Sequence, residues 1–238
     1  MKLTKILTIC ANLRCLSGLH IGGGDTEMHI GGIDNAVIRN PLTDRPYIPG
    51  SSLKGKIRSL LEWRTGAVKP EPLSYRDYTA GGENAEVLAV LKLFGTGGSD
   101  KLNDAEAGLI GPTRLSFWDC ELKEEWIKGV EADNEVPTEA KSENAIDRIS
   151  GVARNPRYTE RVVAGAVFDF RLTVKVIDDE ADKLLPTVLA GLKLLELDSL
   201  GGSGSRGYGK IAFENLTIDG RDCSEAFSSL DPFKKQAS

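Results

Sequence analysis

The stretch "AVFDFRLTVKV", residues 166–176, alternates more strictly than any other in the chain. Phe168, Phe170, Leu172, Val174 and Val176 fall on one side, and Asp169, Arg171, Thr173 and Lys175 on the other. A period of two predicts a β-strand with one apolar face. Downstream, residues 180–197 place Leu185, Val188, Leu189, Leu192 and Leu195 on one helical face despite Pro186. "GKIAFENLTI" (209–218) then reads as a final strand. Upstream, "TRLSFWDC" (113–120) reads as another strand. Residues 51–65 carry Leu53, Ile57, Leu60 and Leu61 at helical spacing, with Ser51 or Ser52 available as a cap and Gly66 as a stop. Residues 5–16 alternate again, through Leu7, Ile9, Ala11, Leu13 and Cys15.

The order strand, helix, strand, strand, helix, strand predicts an α+β, ferredoxin-like (RRM-like) βαββαβ core. Three segments fall outside it: 17–50, 67–110 (with a helix predicted at 84–94) and 121–165. Insertions of this length in a compact domain are functional or disordered more often than not.

At 238 residues, with 40% hydrophobic and 27% charged content, the chain has the make-up of a soluble globular protein with a sizeable core. It has no run of about 18 apolar residues, so no membrane span is expected, and the N-terminus lacks signal-peptide architecture. A cytoplasmic protein is the expectation. The four cysteines form no C-x-x-C pair and read as small buried apolar side chains; no zinc is expected. The two histidines, His20 and His29, flank a glycine-rich loop.

Two nucleotide motifs fail on mechanical grounds. "GSSLKGKI" (50–57) fits G-x-x-x-x-G-K, but Ile57 stands where a metal-binding hydroxyl is needed, and the proline-rich residues before it are no central strand. Gly202-x-Gly204-x-x-Gly207 matches a dinucleotide fingerprint, but a helix precedes it and a strand follows, the reverse of what that fingerprint requires. Both are nonetheless glycine–serine loops with basic side chains, suited to a sugar–phosphate chain. The net charge of −5 argues against a simple nucleic-acid binder, yet the charge is unevenly spread. Arg39, Arg45, Lys54, Lys56, Arg58, Arg64 and Lys69 cluster at 39–69, and Arg148, Arg154, Arg157 and Arg161 at 145–163, whereas 119–139 is strongly acidic. Localised basic surfaces attract polyanions despite an acidic total, though solvated surface charge would give the same counts.

Three blocks together carry a resemblance: "GLHIGGGDTEMHIGGIDNAVIRNPLTDRPYIPGSSLKGKIRSLLE" (18–62), "ENAIDRISGVARNPRYTERVVAGAVFDF" (143–170) and "LGGSGSRGYGKI" (200–211). In this order they resemble the RAMP-superfamily backbone subunit of type III-A CRISPR–Cas effector complexes. The resemblance implies a single RAMP domain over 1–238. It implies copies stacked in a helical filament along a CRISPR RNA, beside other effector subunits, and cleavage of complementary target RNA at regular intervals. A non-catalytic guide-binding scaffold of a related RAMP complex is the alternative.

By the resemblance, Ser51, Ser52, Lys54, Lys56 and Arg58 would meet guide phosphates, His20 would lie near the guide, and the RNA-binding loop Gly201, Gly202, Ser203, Gly204, Ser205, Arg206, Gly207 and Tyr208 would lie beside its backbone. A side chain at Gly204 is expected to push the guide away without unfolding the domain. Residues 145–163 would form a thumb that wedges between guide–target pairs, with Arg148, Arg154, Arg157 and Arg161 on RNA and Ile149, Val152 and Ala153 as an apolar tip. Asp34 matches the cleaving residue and would hold Mg²⁺ or another divalent cation transiently. From the residues alone, Asp34-Asn35 after two glycines reads as a turn.

Overall fold

The computed structural model describes residues 1–23, 35–97 and 100–234. The chain opens with β1 (Leu3–Cys15), in which every second residue from Leu7 to Cys15 is buried. A short strand, β2 (Tyr47–Ile48), leads into α1 (Gly50–Thr65), whose Leu53, Ile57 and Leu61 enter the core. Neither Ser51 nor Ser52 caps this helix, contrary to the sequence reading. Pro49 holds the capping position in extended conformation, and the Asp119 carboxylate accepts from Gly50 N–H at 2.7 Å, so a distant side chain satisfies the first turn. Gly66 ends the helix in the left-handed conformation, as expected.

The insertion at 67–110 folds into α2 (Tyr75–Ala80), α3 (Ala85–Phe94) and α4 (Asp104–Ile110). These helices share a small core of Leu73, Tyr78, Val87, Leu91 and Ile110. The strand predicted at 113–120 divides into β3 (Leu115–Phe117) and β4 (Cys120–Glu121), because the chain bends where Asp119 turns to Gly50. Much of the acidic stretch is α5 (Glu124–Ala132), a helix the sequence reading missed. Its Ile127 is buried, Trp126 and Val130 pack beside it, and Glu124 and Glu131 clasp Arg45 at 3.0 and 2.6 Å.

A hairpin of β5 (Thr138–Ile146) and β6 (Ala153–Val162) forms its own two-stranded sheet. The predicted thumb therefore starts earlier than 145, inside the acidic stretch. The chain returns to the core with β7 (Val167–Ile177), α6 (Ala181–Leu197) and β8 (Ile211–Ile218), and ends in β9 (Arg221–Asp222) and α7 (Ser224–Ser228).

The main sheet is antiparallel, in the order β3-β7-β1-β8-β9. Numbering its four principal strands by sequence gives 4-1-3-2, the ferredoxin-like arrangement. The register sets Leu13 opposite Phe168, Ala11 opposite Phe170, Ile9 opposite Leu172 and Leu7 opposite Val174, one apolar sheet face. The helices α1 and α6 share its hydrophobic core. They approach closely at Gly191, where a Cβ would stand 2.7 Å from Ile57 Cγ2. Cys15 and Cys120 are buried there, and burial pushes both thiols up to about 12, consistent with their reading as inert core residues.

Candidate nucleic-acid interface

The hairpin is bound to the core at its base. Leu19 and Val162 exchange both backbone hydrogen bonds, and Glu160 N–H donates to Asn35 C=O. Buried Glu160 also turns its carboxylate back to the 37–39 segment, accepting from Val37 N–H at 3.0 Å and pairing with Arg39 at 2.5 Å. Burial pushes its carboxyl up, but the Val37 amide, the Thr138 hydroxyl and Arg39 outweigh that and hold it below its ordinary value. The far end is unlike the base. A turn closed by Asp147, which accepts from Ile149 and Ser150 N–H, carries Ile149 fully exposed with Ile146, Val152 and Ala153 exposed beside it. Arg148 and Arg157 are exposed too, and Arg154 reaches Asp147 at 3.1 Å. A rigid root with an exposed apolar and basic tip has the build of a wedge.

The glycine loop lies against this root. Gly201 adopts φ 75°, and a Cβ on it would come 2.2 Å from the His20 carbonyl oxygen, which itself accepts from Gly202 N–H at 2.9 Å. His20 Nδ1 lies 2.7 Å from the Glu160 carbonyl. A carbonyl only accepts, so Nδ1 carries the hydrogen and His20 bridges loop and hairpin root. Gly204 is half-buried, and a Cβ there would fall 2.0 Å from Ser199 Oγ and 3.0 Å from Ser199 Cβ, so a side chain at this position would press on Ser199 as well as on a bound strand. Tyr208 is corrected as a contact. Its ring is buried, under Lys141 Nζ at 4.4 Å and the Arg161 guanidinium at 5.0 Å, and serves as a base for those cations. Arg161 is held at the root by Glu139 at 2.8 Å. Arg206, Gly207 and Ser205 are exposed, Ser203 less so, and Arg206 pairs with Ser203 and, at 3.1 Å, with Glu143.

Between loop and hairpin lies a cleft of about 410 Å³ lined by Lys141, Glu143, Asn144, Ala145, Arg157 and Arg206. Lys141 was not singled out in the sequence. The signal for it was the alternation of 138–146, which sets Lys141 and Glu143 on one face of β5.

At the start of α1, Ser51 is exposed, and Ser52 and Lys54 are half-buried. Lys54 has no ion-pair partner among the described residues. Lys56 pairs at 2.6 Å with Asp198, whose backbone carbonyl also accepts from Lys210 at 2.5 Å, so the helix start adjoins the root of the glycine loop. Arg58 departs from its expected role. It turns inward to buried Glu62 at 2.7 Å and to the Leu73 carbonyl at 3.0 Å, tying α1 to the helical insertion. Asp34 and His29 lie outside the described residues. Asn35, next in sequence to Asp34, is bridged to Thr159 of β6. Among the described residues, no group of three or more His, Cys, Asp or Glu side chains is placed to hold a metal ion, and no helix is long and apolar enough to cross a membrane.

The RAMP superfamily model matches residues 12–212. The chain is 38% identical to "CRISPR system Cms endoribonuclease Csm3" of Methanothermobacter thermautotrophicus, over 92% of this chain and 87% of that protein. It is 41% identical to the protein of the same name from Streptococcus thermophilus, over 87% and 86%. Among solved structures it superposes with a TM-score of 0.55 and 28% identity on a chain of the Csm3–Csm4 subcomplex of a type III-A CRISPR–Cas interference complex, covering 92% of this chain and 80% of that one. The Methanopyrus kandleri Csm3 crystal structure, at 24% identity and a TM-score of 0.55 over 87% and 75%, shares the fold. The chain belongs to the RAMP superfamily and, within it, to the Csm3 endoribonuclease family.

Proposed function

We propose that this chain is a backbone subunit of a type III-A CRISPR effector complex that lies along the guide RNA and cuts the paired target RNA at regular intervals. The observation that carries the RNA-binding half is the cleft where Arg206 of the glycine loop meets the basic face of the hairpin, with His20 joining that loop to the hairpin root. Backbone amides and the open side of Gly207 suit close approach of a phosphate chain, and guanidinium groups suit its oxygens. The hairpin tip supplies the second half. Ile149 and its neighbours displace a target nucleotide from the stack, so that its 2′-OH can align with the scissile P–O bond. Other copies of the chain and other effector subunits continue the filament, and one cut per copy sets the interval.

Asp34 is the residue proposed to act at the cut. The reaction would depend on Mg²⁺ or another divalent cation, held by Asp34 together with oxygens of the target; when bound, it would neutralise charge developing on the phosphate. The test is Asp34→Ala in the assembled complex: assembly and target binding retained, cleavage lost. Chelation should stop the wild-type reaction without releasing the target. Cuts that persist at the same positions in Asp34→Ala complexes would remove the catalytic assignment and leave a guide-binding scaffold.

A further inference from the structure

The cleft between hairpin and glycine loop holds one carboxylate among several cations. Glu143 lies 3.1 Å from Arg206 Nη1 and 3.9 Å from Lys141 Nζ, and Arg157 stands opposite it in the β5–β6 register. Arg157 makes no ion pair among the described residues. Beneath them the buried Tyr208 ring carries Lys141 Nζ at 4.4 Å. Three cations gathered about one carboxylate leave an excess of positive charge suited to an anion. Glu143 also sits beside a slip in the hairpin. Pairing shifts between Glu143 and Ala145, where Asn155 (φ 52°) and Pro156 stand opposite Asn144. Such irregularities free a side chain to re-aim.

We infer that Lys141, Arg157 and Arg206 form a site for one RNA phosphodiester, and that Glu143 occupies it as a placeholder in the free chain. A carboxylate and a phosphodiester each carry one negative charge on two equivalent oxygens, so a guanidinium accepts either. Without RNA, Glu143 keeps the cations from repelling one another and holds Arg206 against the hairpin. With RNA, the phosphate takes over Arg206 and Glu143 must swing out, since two anions repel within one site. The carboxylate thereby lowers affinity for every sequence alike. This inference rests on the RNA-binding reading above and adds to it a residue that opposes binding.

The test measures binding of fluorescein-labelled oligouridylate to the full-length chain across a salt series, for wild type, Glu143→Gln, Arg206→Ala and the double variant. Glu143→Gln should bind roughly five- to tenfold more tightly at low salt, and its salt slope should steepen by about 0.7, because one more phosphate contact is no longer offset by a displaced carboxylate. In the Arg206→Ala background that gain should shrink, since the carboxylate's main partner is gone. Thermal melting of each variant separates these effects from unfolding. Glu143→Gln that folds as wild type but binds equally or more weakly, with an unchanged slope, overturns the placeholder while leaving RNA binding intact. No binding by wild type overturns both readings. Inorganic phosphate at matched ionic strength is the competing probe: if it displaces the strand from Glu143→Gln but not from wild type, the site takes free phosphate and the phosphodiester assignment is lost.

Discussion

Arg58 and Lys54 stand four residues apart on α1, yet the structure gives them different work. Arg58 is nearly enclosed, with Glu62 on one side and the Leu73 carbonyl on the other, whereas Lys54 has no ion-pair partner among the described residues. Removing one member of a buried pair leaves the other charge unmatched, so Arg58→Ala should destabilise the fold by about 3 kcal/mol. Denaturant unfolding measures this directly. Lys54→Ala should leave stability within about 0.5 kcal/mol of wild type. Under the proposed function its effect falls on RNA binding, where loss of one phosphate contact should lower the salt slope by roughly one without altering sequence preference. If Arg58→Ala unfolded like wild type and Lys54→Ala did not, the two roles would have to be exchanged. A helical wheel places both side chains at neighbouring positions of a polar face. It cannot show that residue 73 returns to cover one of them.

The hairpin is an element held by one buried carboxylate at its root. Glu160 has a lowered folded value, so its contribution to stability is complete above the ordinary glutamate value of 4.5 and is lost as pH falls through the lower folded value. Acidification should therefore loosen the root before the core. Hydrogen-exchange protection factors at Val37, whose amide donates to Glu160, should fall as pH drops below about 4.5. In Glu160→Gln the same amide should be poorly protected already at neutral pH, with little further pH dependence. Equal protection of Val37 in the variant and wild type at neutral pH would mean that the hairpin is held by its backbone bridges alone. The base of the element was hard to see in sequence because Glu139, Glu143 and Glu160 look like solvated charge. In the fold, each faces an arginine.

For the molecule as a whole, the parts legible in the sequence are those where one face alone decides. The alternation of 166–176 and of 5–16, and the leucine rows of α1 and α6, specify the core because burial on one side leaves a periodic trace. The rest depends on partners far along the chain. Asp119 replaces the serine cap on α1, and the apolar trio of α5 is diluted by its acidic neighbours. Tyr208 reads as a loop aromatic but is roofed by cations from the hairpin. Asp34 stood out only through the family resemblance, since an aspartate after two glycines carries no distinguishing pattern. This division has a mechanical consequence. The main hydrophobic core takes Val162 from the hairpin root and nothing from residues 138–158, so fold and wedge are separable. Replacing residues 148–152 with a short glycine–serine turn should leave the core's stability within about 0.5 kcal/mol of wild type, against a loss of 3–5 kcal/mol for Phe170→Ala. Guide binding through the α1 start and glycine loop should persist in the shortened chain. Target cleavage in the assembled complex should fall sharply, because no apolar tip remains to displace the nucleotide at each cut. Thermal melting and gel analysis of the cleavage ladder read the two effects separately. A shortened hairpin that unfolds like Phe170→Ala would make the thumb part of the core, and one that cuts at the wild-type rate would free the chemistry from any need for a wedge.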